Sequence, residues 1–134
     1  MNFLGSLIVL LAGTVSTLRD CSNGKALFTL ISQGFSPEPP VPGQDATLWF
    51  YYQVPDGLTV TAGTAKYSII FNGIPFSPTV TDLCTQVTCP LVPGIFNLTS
   101  TSQFPSVSGK LVSTIQWYDT NDSLLLCSEL TEKI

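Results

Sequence analysis

The chain has 134 residues, enough for one domain, with 44% hydrophobic and only 10% charged positions and a net charge of −4. An average globular domain is about 25% charged, so much of this surface must be Ser, Thr, Gln and Asn. The five cations, Arg19, Lys25, Lys66, Lys110 and Lys133, are scattered. Nucleic-acid binding needs clustered cations to displace counterions from phosphates, and is excluded.

The chain opens on "MNFLGSLIVLLAGTVST", whose apolar run from Phe3 to Gly13 ends in small residues. A membrane-spanning helix needs about 20 apolar residues, more than this run supplies. It reads as a signal peptide over residues 1–16, cleaved between Gly13 and Thr17, with a mature domain at 17–134. No Lys or Arg precedes the apolar core; an uncleaved anchor or a buried first strand is the plain alternative. Two sequons, Asn97-Leu98-Thr99 and Asn121-Asp122-Ser123, fit a chain that leaves the cytoplasm and carries glycans at Asn97 and Asn121.

Beyond Cys21 the chain reads as short β-prone runs. "ALFTLISQGF" (Ala26 to Phe35) is apolar and is stopped by "SPEPPVPG", where Pro lacks a donor for a strand ladder. "QDATLWFYYQV" places Ala46, Leu48, Phe50 and Tyr52 on one face and Trp49 and Tyr51 on the other. Aromatics on both faces suggest a strand buried on one side and partly covered on the other. Asp56-Gly57 marks a turn. "LTVTAGTAKYSIIFNG" alternates as Leu58, Val60 and Ala62, changes phase at Gly63 as a β-bulge would, and resumes as Ala65, Tyr67, Ile69 and Phe71. After the Asn72-Gly73 turn, "GIFNLTST", "GKLVSTIQWYD" and "SLLLCSEL" supply three more strands, the last two joined by a turn at Asn121-Asp122. No segment shows a sustained helical period. About seven strands at this spacing indicate an all-β, immunoglobulin-like antiparallel sandwich, although the Cys-Trp-Cys arrangement of antibody domains is absent.

The four cysteines, Cys21, Cys84, Cys89 and Cys127, follow the leader, and the chain has no histidine. A zinc site wants four Cys or His ligands in close pairs, and a catalytic thiol or hydroxyl wants a base. Cys84 and Cys89 are not spaced as Cys-x-x-Cys. The acids Asp20, Asp45, Asp82 and Asp119 sit in apparent turns, where Asp is favoured for local hydrogen bonding. No metal, cofactor or enzyme activity is therefore expected. An even count in a secreted chain implies two disulfides, with three pairings open to sequence alone.

"LCTQVTCPLVPG" (Leu83 to Gly94) resembles the disulfide loop of the ML family, the MD-2-related lipid-recognition domains. Other pieces stand in the family's order: Cys21, "SPEPPVPG", "IPFSP" (Ile74 to Pro78), "QFPSVSGKL" and "LLLCSEL". The resemblance covers about Asp20 to Leu130. It implies Cys84–Cys89 and Cys21–Cys127 bridges, and a lipid held between two parted sheets. "PPVPGQ" is most similar to the phosphatidylglycerol/phosphatidylinositol-transfer branch, and "IPF" and "FP" resemble the sterol-binding Niemann–Pick type C2 branch. Several members have a third disulfide after the first strand, which this chain lacks.

On that resemblance Phe76 faces the pocket, and Phe104 and Pro105 stand at its mouth. Phe96 and Leu98 alternate with Asn97 and face inward if Asn97 is glycosylated. Trp117, Phe71 and Ile69 complete the candidate wall, although Trp117 could equally plug the core, and Leu48, Phe50, Ile69, Phe71 and Ile115, taken singly, read as plain core rather than ligand wall. Lys66 and Lys110 read as solvated lysines. The implied function is a secreted or lumenal (endosomal, lysosomal or vacuolar) monomer. It would carry a sterol or phospholipid between membranes through transient membrane contact. The alternative is a module presenting a lipid to a protein partner.

Overall fold

The computed structural model describes residues 15–37, 41–103 and 108–133. Among them nine strands form two antiparallel sheets: β1 (Val15–Asp20), β2 (Thr29–Ser36), β3 (Asp45–Val54), β4 (Gly63–Phe71), β5 (Ile74–Pro75), β6 (Thr79–Asp82), β7 (Gly94–Gln103), β8 (Lys110–Asp119) and β9 (Leu124–Lys133). The larger sheet runs β1-β9-β8-β4, with β5 and β6 sharing the free edge of β4. The smaller runs β2-β3-β7. The only helical element among the described residues is a 3-10 turn at Leu83–Thr85, so the all-β sandwich is as expected.

The strand count exceeds the seven anticipated for two reasons. β1 takes in Val15 and Ser16, assigned above to the leader, and pairs them with Lys133 and Glu132. β5 and β6 are short pieces on one sheet edge, separated where Pro75 and Pro78 cannot donate to a ladder. The expected strand from Leu58 also begins later. Val60 makes an isolated bridge to Leu91, exchanging hydrogen bonds of 2.9 and 2.8 Å, and β4 starts only at Gly63. No bulge lies there. The register shifts fall at Leu30/Ser32 and Trp117/Tyr118 instead. Gly63 is required because a Cβ would collide with the Tyr118 carbonyl oxygen. The turns at Asp56-Gly57 and Asn72-Gly73 form, with Gly57, Asn72 and Gly73 at positive φ.

Alternation along the strands sends one row of each inward. In the smaller sheet Val54, Tyr52, Phe50, Leu48 and Ala46 stand opposite Gly94, Phe96, Leu98, Ser100 and Ser102 of β7 across the ladder. In the larger sheet the inward tiers are Leu126–Trp117–Ala65, Ser128–Ile115–Tyr67, Leu130–Ser113–Ile69 and Glu132–Leu111–Phe71. At one end these rows interlock as a solid core of Phe28, Phe50, Tyr52, Val54, Val60, Leu83, Leu91, Trp117, Leu125 and Leu126. The Trp117 indole lies 5.7 Å from the Phe50 ring and 5.2 Å, edge-on, from Tyr52. Each such large side chain contributes about 1.5–3 kcal/mol by leaving water, so this end anchors the domain.

Both disulfides form as the resemblance implied, with Cα separations of 5.0 Å for Cys21–Cys127 and 5.4 Å for Cys84–Cys89. The first ties the chain after β1 to β9. The second closes the segment by which the chain leaves β6 in the larger sheet and enters β7 in the smaller one. Asp82 caps the 3-10 turn there, its Oδ1 accepting the Cys84 N–H at 2.9 Å.

Candidate functional site

Side-chain size falls along the inward rows of the smaller sheet from the packed end to the other: β7 goes from Phe96 and Leu98 to Ser100 and Ser102, and β3 from Phe50 to Ala46. In the larger sheet β8 narrows from Trp117 to Ser113 before Leu111, while β4 widens from Ala65 to Phe71. Ser100 stands opposite Leu48, and Ser102 opposite Ala46. The two sheets are set apart by the large residues at the packed end, so small residues at the far end cannot bridge the gap. What remains is an inter-sheet cleft of about 290 Å³. This sits near the lower bound of small-ligand pockets, which run about 300–1,000 Å³.

The cleft is lined from the smaller sheet by Phe35, Ala46, Leu48, Ser100, Ser102 and Gln103. Tyr67, Ile69, Leu111, Ser113, Ile115 and Leu130 line it from the larger sheet. None of these is charged. The aliphatic and aromatic groups suit hydrocarbon, while the hydroxyls of Ser100, Ser102 and Ser113 offer neutral hydrogen bonds. Gln103 donates from Nε2 to the Gly43 carbonyl at 2.9 Å, fixing the segment before β3 against the end of β7. Between cleft and packed core, Ser128 and Gln33 join the sheets through a 2.5 Å hydrogen bond. Burial raises the Tyr67 hydroxyl above the ordinary tyrosine pKa.

A second cavity of about 370 Å³ lies at the sandwich flank, between β7 and the disulfide loop. It is lined by Tyr52, Phe96 and Leu98 with Gln86, Val87, Thr88, Pro90 and Leu91, and Asn97 stands at its rim. The peptide bond before Pro90 is cis.

The residues singled out from sequence divide between these places. Ile69 lines the cleft; Phe96 and Leu98 line the flank cavity. Phe71 follows Ile69 on the same inward row but borders neither cavity, its ring lying against Gly109. Trp117 is 0% exposed, belongs to the packed core and lines neither cavity, with Phe50 and Tyr52 packed against its indole. Phe76 is 58% exposed and lines neither cavity. It follows β5 on the outer edge of the larger sheet, where its N–H donates to the Ile69 carbonyl. Phe104 and Pro105 lie outside the described residues. Lys66, between Gln116 and Val80 in the ladder, and the exposed Lys110 do not enter the cleft. Sequence reading missed the three serines, which carry no signal until the register sets them on the inward rows around the cleft. It also left Leu48 and Ile115 as plain core, although both line the cleft.

Known proteins share this fold. A crystal structure of a Niemann–Pick type C2 protein from the Japanese carpenter ant superposes with a TM-score of 0.64 at 14% identity, covering 86% of this chain and 96% of that one. Chicken MD-1 complexed with lipid IVa superposes at 0.65 and 12% identity, covering 90% and 89%. Both likenesses concern the fold. Two candidate phosphatidylglycerol/phosphatidylinositol transfer proteins of Dictyostelium discoideum, numbered 1 and 3, are each 30% identical, over 121 and 120 residues, spanning 87% and 86% of this chain and 79% and 78% of theirs. The sequence profile of the ML domain matches residues 15–134. The chain is a member of the ML domain family.

Proposed function

We propose that this protein binds one lipid, a sterol or a phospholipid, in the inter-sheet cleft and carries it between membranes as a monomer. The observation that supports this reading most is the taper of the inward rows of the smaller sheet, with Ser113 on the facing wall. Interior positions that would ordinarily be filled hold Ala46, Ser100, Ser102 and Ser113, and leave apolar-walled space. Each CH₂ withdrawn from water is worth about 0.8 kcal/mol, so such a cleft lowers the cost of moving a hydrocarbon through solvent. The wall carries no charge, which suits a sterol or the tails of a phospholipid whose head stays at the mouth. The lipid-transfer names of the Dictyostelium relatives and the lipid IVa held by chicken MD-1 favour the same ligand class.

The leader, the two disulfides and the sequons favour a secreted or lumenal location, since disulfides persist in oxidising compartments. Membrane contact is assigned to the β4–β5 hairpin at the open end, where Ile70, Ile74 and Phe76 are 40%, 64% and 58% exposed. An exposed apolar group beside a cleft mouth can insert among lipid head groups while the cargo passes.

The test is lipid uptake by purified protein, read by native mass spectrometry and by a fluorescent sterol and a fluorescent phospholipid. A one-to-one complex that delivers its lipid to acceptor vesicles is expected. Protein that stays empty with both lipid classes refutes the reading.

A further inference from the structure

The outer face of the smaller sheet holds an aromatic platform that the lipid-carrier reading leaves unused. Trp49 and Tyr51 of β3 both point outward, with ring centroids 6.0 Å apart and planes at 77°. Trp49 pairs with Gly34 in β2, where a Cβ would come within 2.5 Å of the indole. The absence of a side chain at Gly34 lets the indole lie down over β2. Tyr51 remains 43% exposed. The neighbouring outward positions Ser32, Thr47, Gln53, Asn97, Thr99 and Thr101 are uncharged.

The register places the first sequon on this platform. Asn97 is the direct ladder partner of Tyr51, and Thr99 that of Trp49. Directly opposed residues have Cβ atoms about 4.5–5.5 Å apart, and side chains two positions on are still within reach of an aromatic ring. Asn97 and Thr99 are both exposed on the same face. We infer that Asn97 carries an N-linked glycan whose first N-acetylglucosamine lies across Tyr51 and Trp49, so that the chain covers its own aromatic surface with sugar. The electron-rich face of an aromatic ring attracts the polarised C–H groups on the apolar side of a pyranose. An uncharged rim of Ser, Thr and Gln is compatible with sugar hydroxyls. β7 is also the free edge of its sheet, and a glycan on that strand obstructs pairing with another chain.

The inference rests on the secretory part of the reading above and not on the lipid. The experiment is secretion of the full chain from a eukaryotic host making high-mannose glycans, with site occupancy read by peptide mass. The folded glycoprotein is then trimmed with endoglycosidase H, which leaves one sugar, or stripped with peptide-N-glycosidase F. Acrylamide quenching of tryptophan fluorescence reads the platform, because Trp117 is 0% exposed and only Trp49 is accessible. Complete stripping is expected to raise quenching roughly twofold by uncovering an aromatic face, and trimming to one sugar to leave it low. Asn97→Gln should match the stripped protein, and Asn121→Gln the untreated one.

Secreted protein with a glycan on Asn121 alone overturns the inference and leaves the secretory reading standing. A glycan on Asn97 whose removal does not change Trp49 quenching overturns the stacking. Chain retained in the cytosol with neither sequon used refutes the secretory reading itself, and this inference with it.

Discussion

Tyr67 in β4 donates a 2.9 Å hydrogen bond from its hydroxyl to Oε1 of Gln86, and the two residues line different cavities. The pair stands where the inter-sheet cleft approaches the flank cavity. On β7, Leu98 of the flank cavity and Ser100 of the cleft are successive inward positions. Tyr67→Phe should cost about 0.5–1.5 kcal/mol, the usual net value of one hydrogen bond, in chemical denaturation. Tyr67→Ala should merge the two spaces, and competition between lipids of increasing chain length should show a shift toward the longer ones.

The same hydroxyl gives a pH dependence. Burial raises the pKa of Tyr67 and of Tyr52 above the ordinary value of 10.0. The folded state then keeps these protons where the unfolded chain has begun to lose them. Their contribution to stability is complete below pH 10 and declines as pH climbs from there through the folded-state pKa values. Denaturant midpoints measured on either side of pH 10 should fall on the alkaline side, and less steeply in Tyr52→Phe.

Filling the cleft should separate binding from folding. Ser113 lies between Leu130 and Ile69 in the ladder, and phenylalanine there would occupy the space assigned to the lipid. Excluding about two CH₂ groups of the ligand corresponds to a loss near 1.6 kcal/mol, or about tenfold in affinity. Titration with a fluorescent lipid checks this, and the denaturation midpoint should move little. Phe50→Ala should do the reverse. It removes a ring that is 1% exposed in the packed core and should cost about 3–5 kcal/mol by denaturation.

The bridges should differ in worth. Cys21–Cys127 spans 106 residues and Cys84–Cys89 only 5. On the chain-entropy estimate they contribute about 5 and about 2 kcal/mol. Paired Ser substitutions, compared by denaturation, should show that order. The short bridge should matter more for uptake than its stability share suggests, because its loop walls the flank cavity.

Replacing Ile74 and Phe76 together by Ser should slow vesicle-to-vesicle transfer several-fold while leaving equilibrium uptake intact. Both side chains are more than half exposed and outside the cleft, so they act on docking alone. Stopped-flow transfer between labelled vesicles, set beside equilibrium titration, makes the comparison.

Much of this was legible in the sequence. Alternation in "DATLWFYYQV" assigned Ala46, Leu48, Phe50 and Tyr52 to the interior, and they face it. The glycine turns and the disulfide crossover were equally readable. The cleft was not. Its cause is a size gradient shared by β3 and β7 and met by Ser113 from the facing sheet, and each strand alone reads as ordinary alternation. Only the ladder aligns Ser113 with Ile69 and Ser100 with Leu48. The place of Trp117 in the packed core and of Phe76 on the outer edge was hidden for a related reason. An aromatic residue's type does not say at which end of a strand the sheets close, or which strand forms the edge. Trp49 and Tyr51 were read as sharing the face opposite Phe50 and Tyr52, as they do, but their nearness to Asn97 is again a matter of register.

Both disulfides lie in the packed half of the sandwich, one beside the Leu126–Trp117 tier and one at the loop beyond Leu83. The opposite half is therefore held by ladders and side-chain contacts only, and can unzip without breaking a covalent tie. Opening there is a sub-global event with its own, smaller free energy. Amide protons of Leu111 to Ser113 and Ser100 to Ser102 should exchange with solvent while those around Trp117 remain locked. A protein that must admit and release a guest thus places its fragile half where the traffic passes.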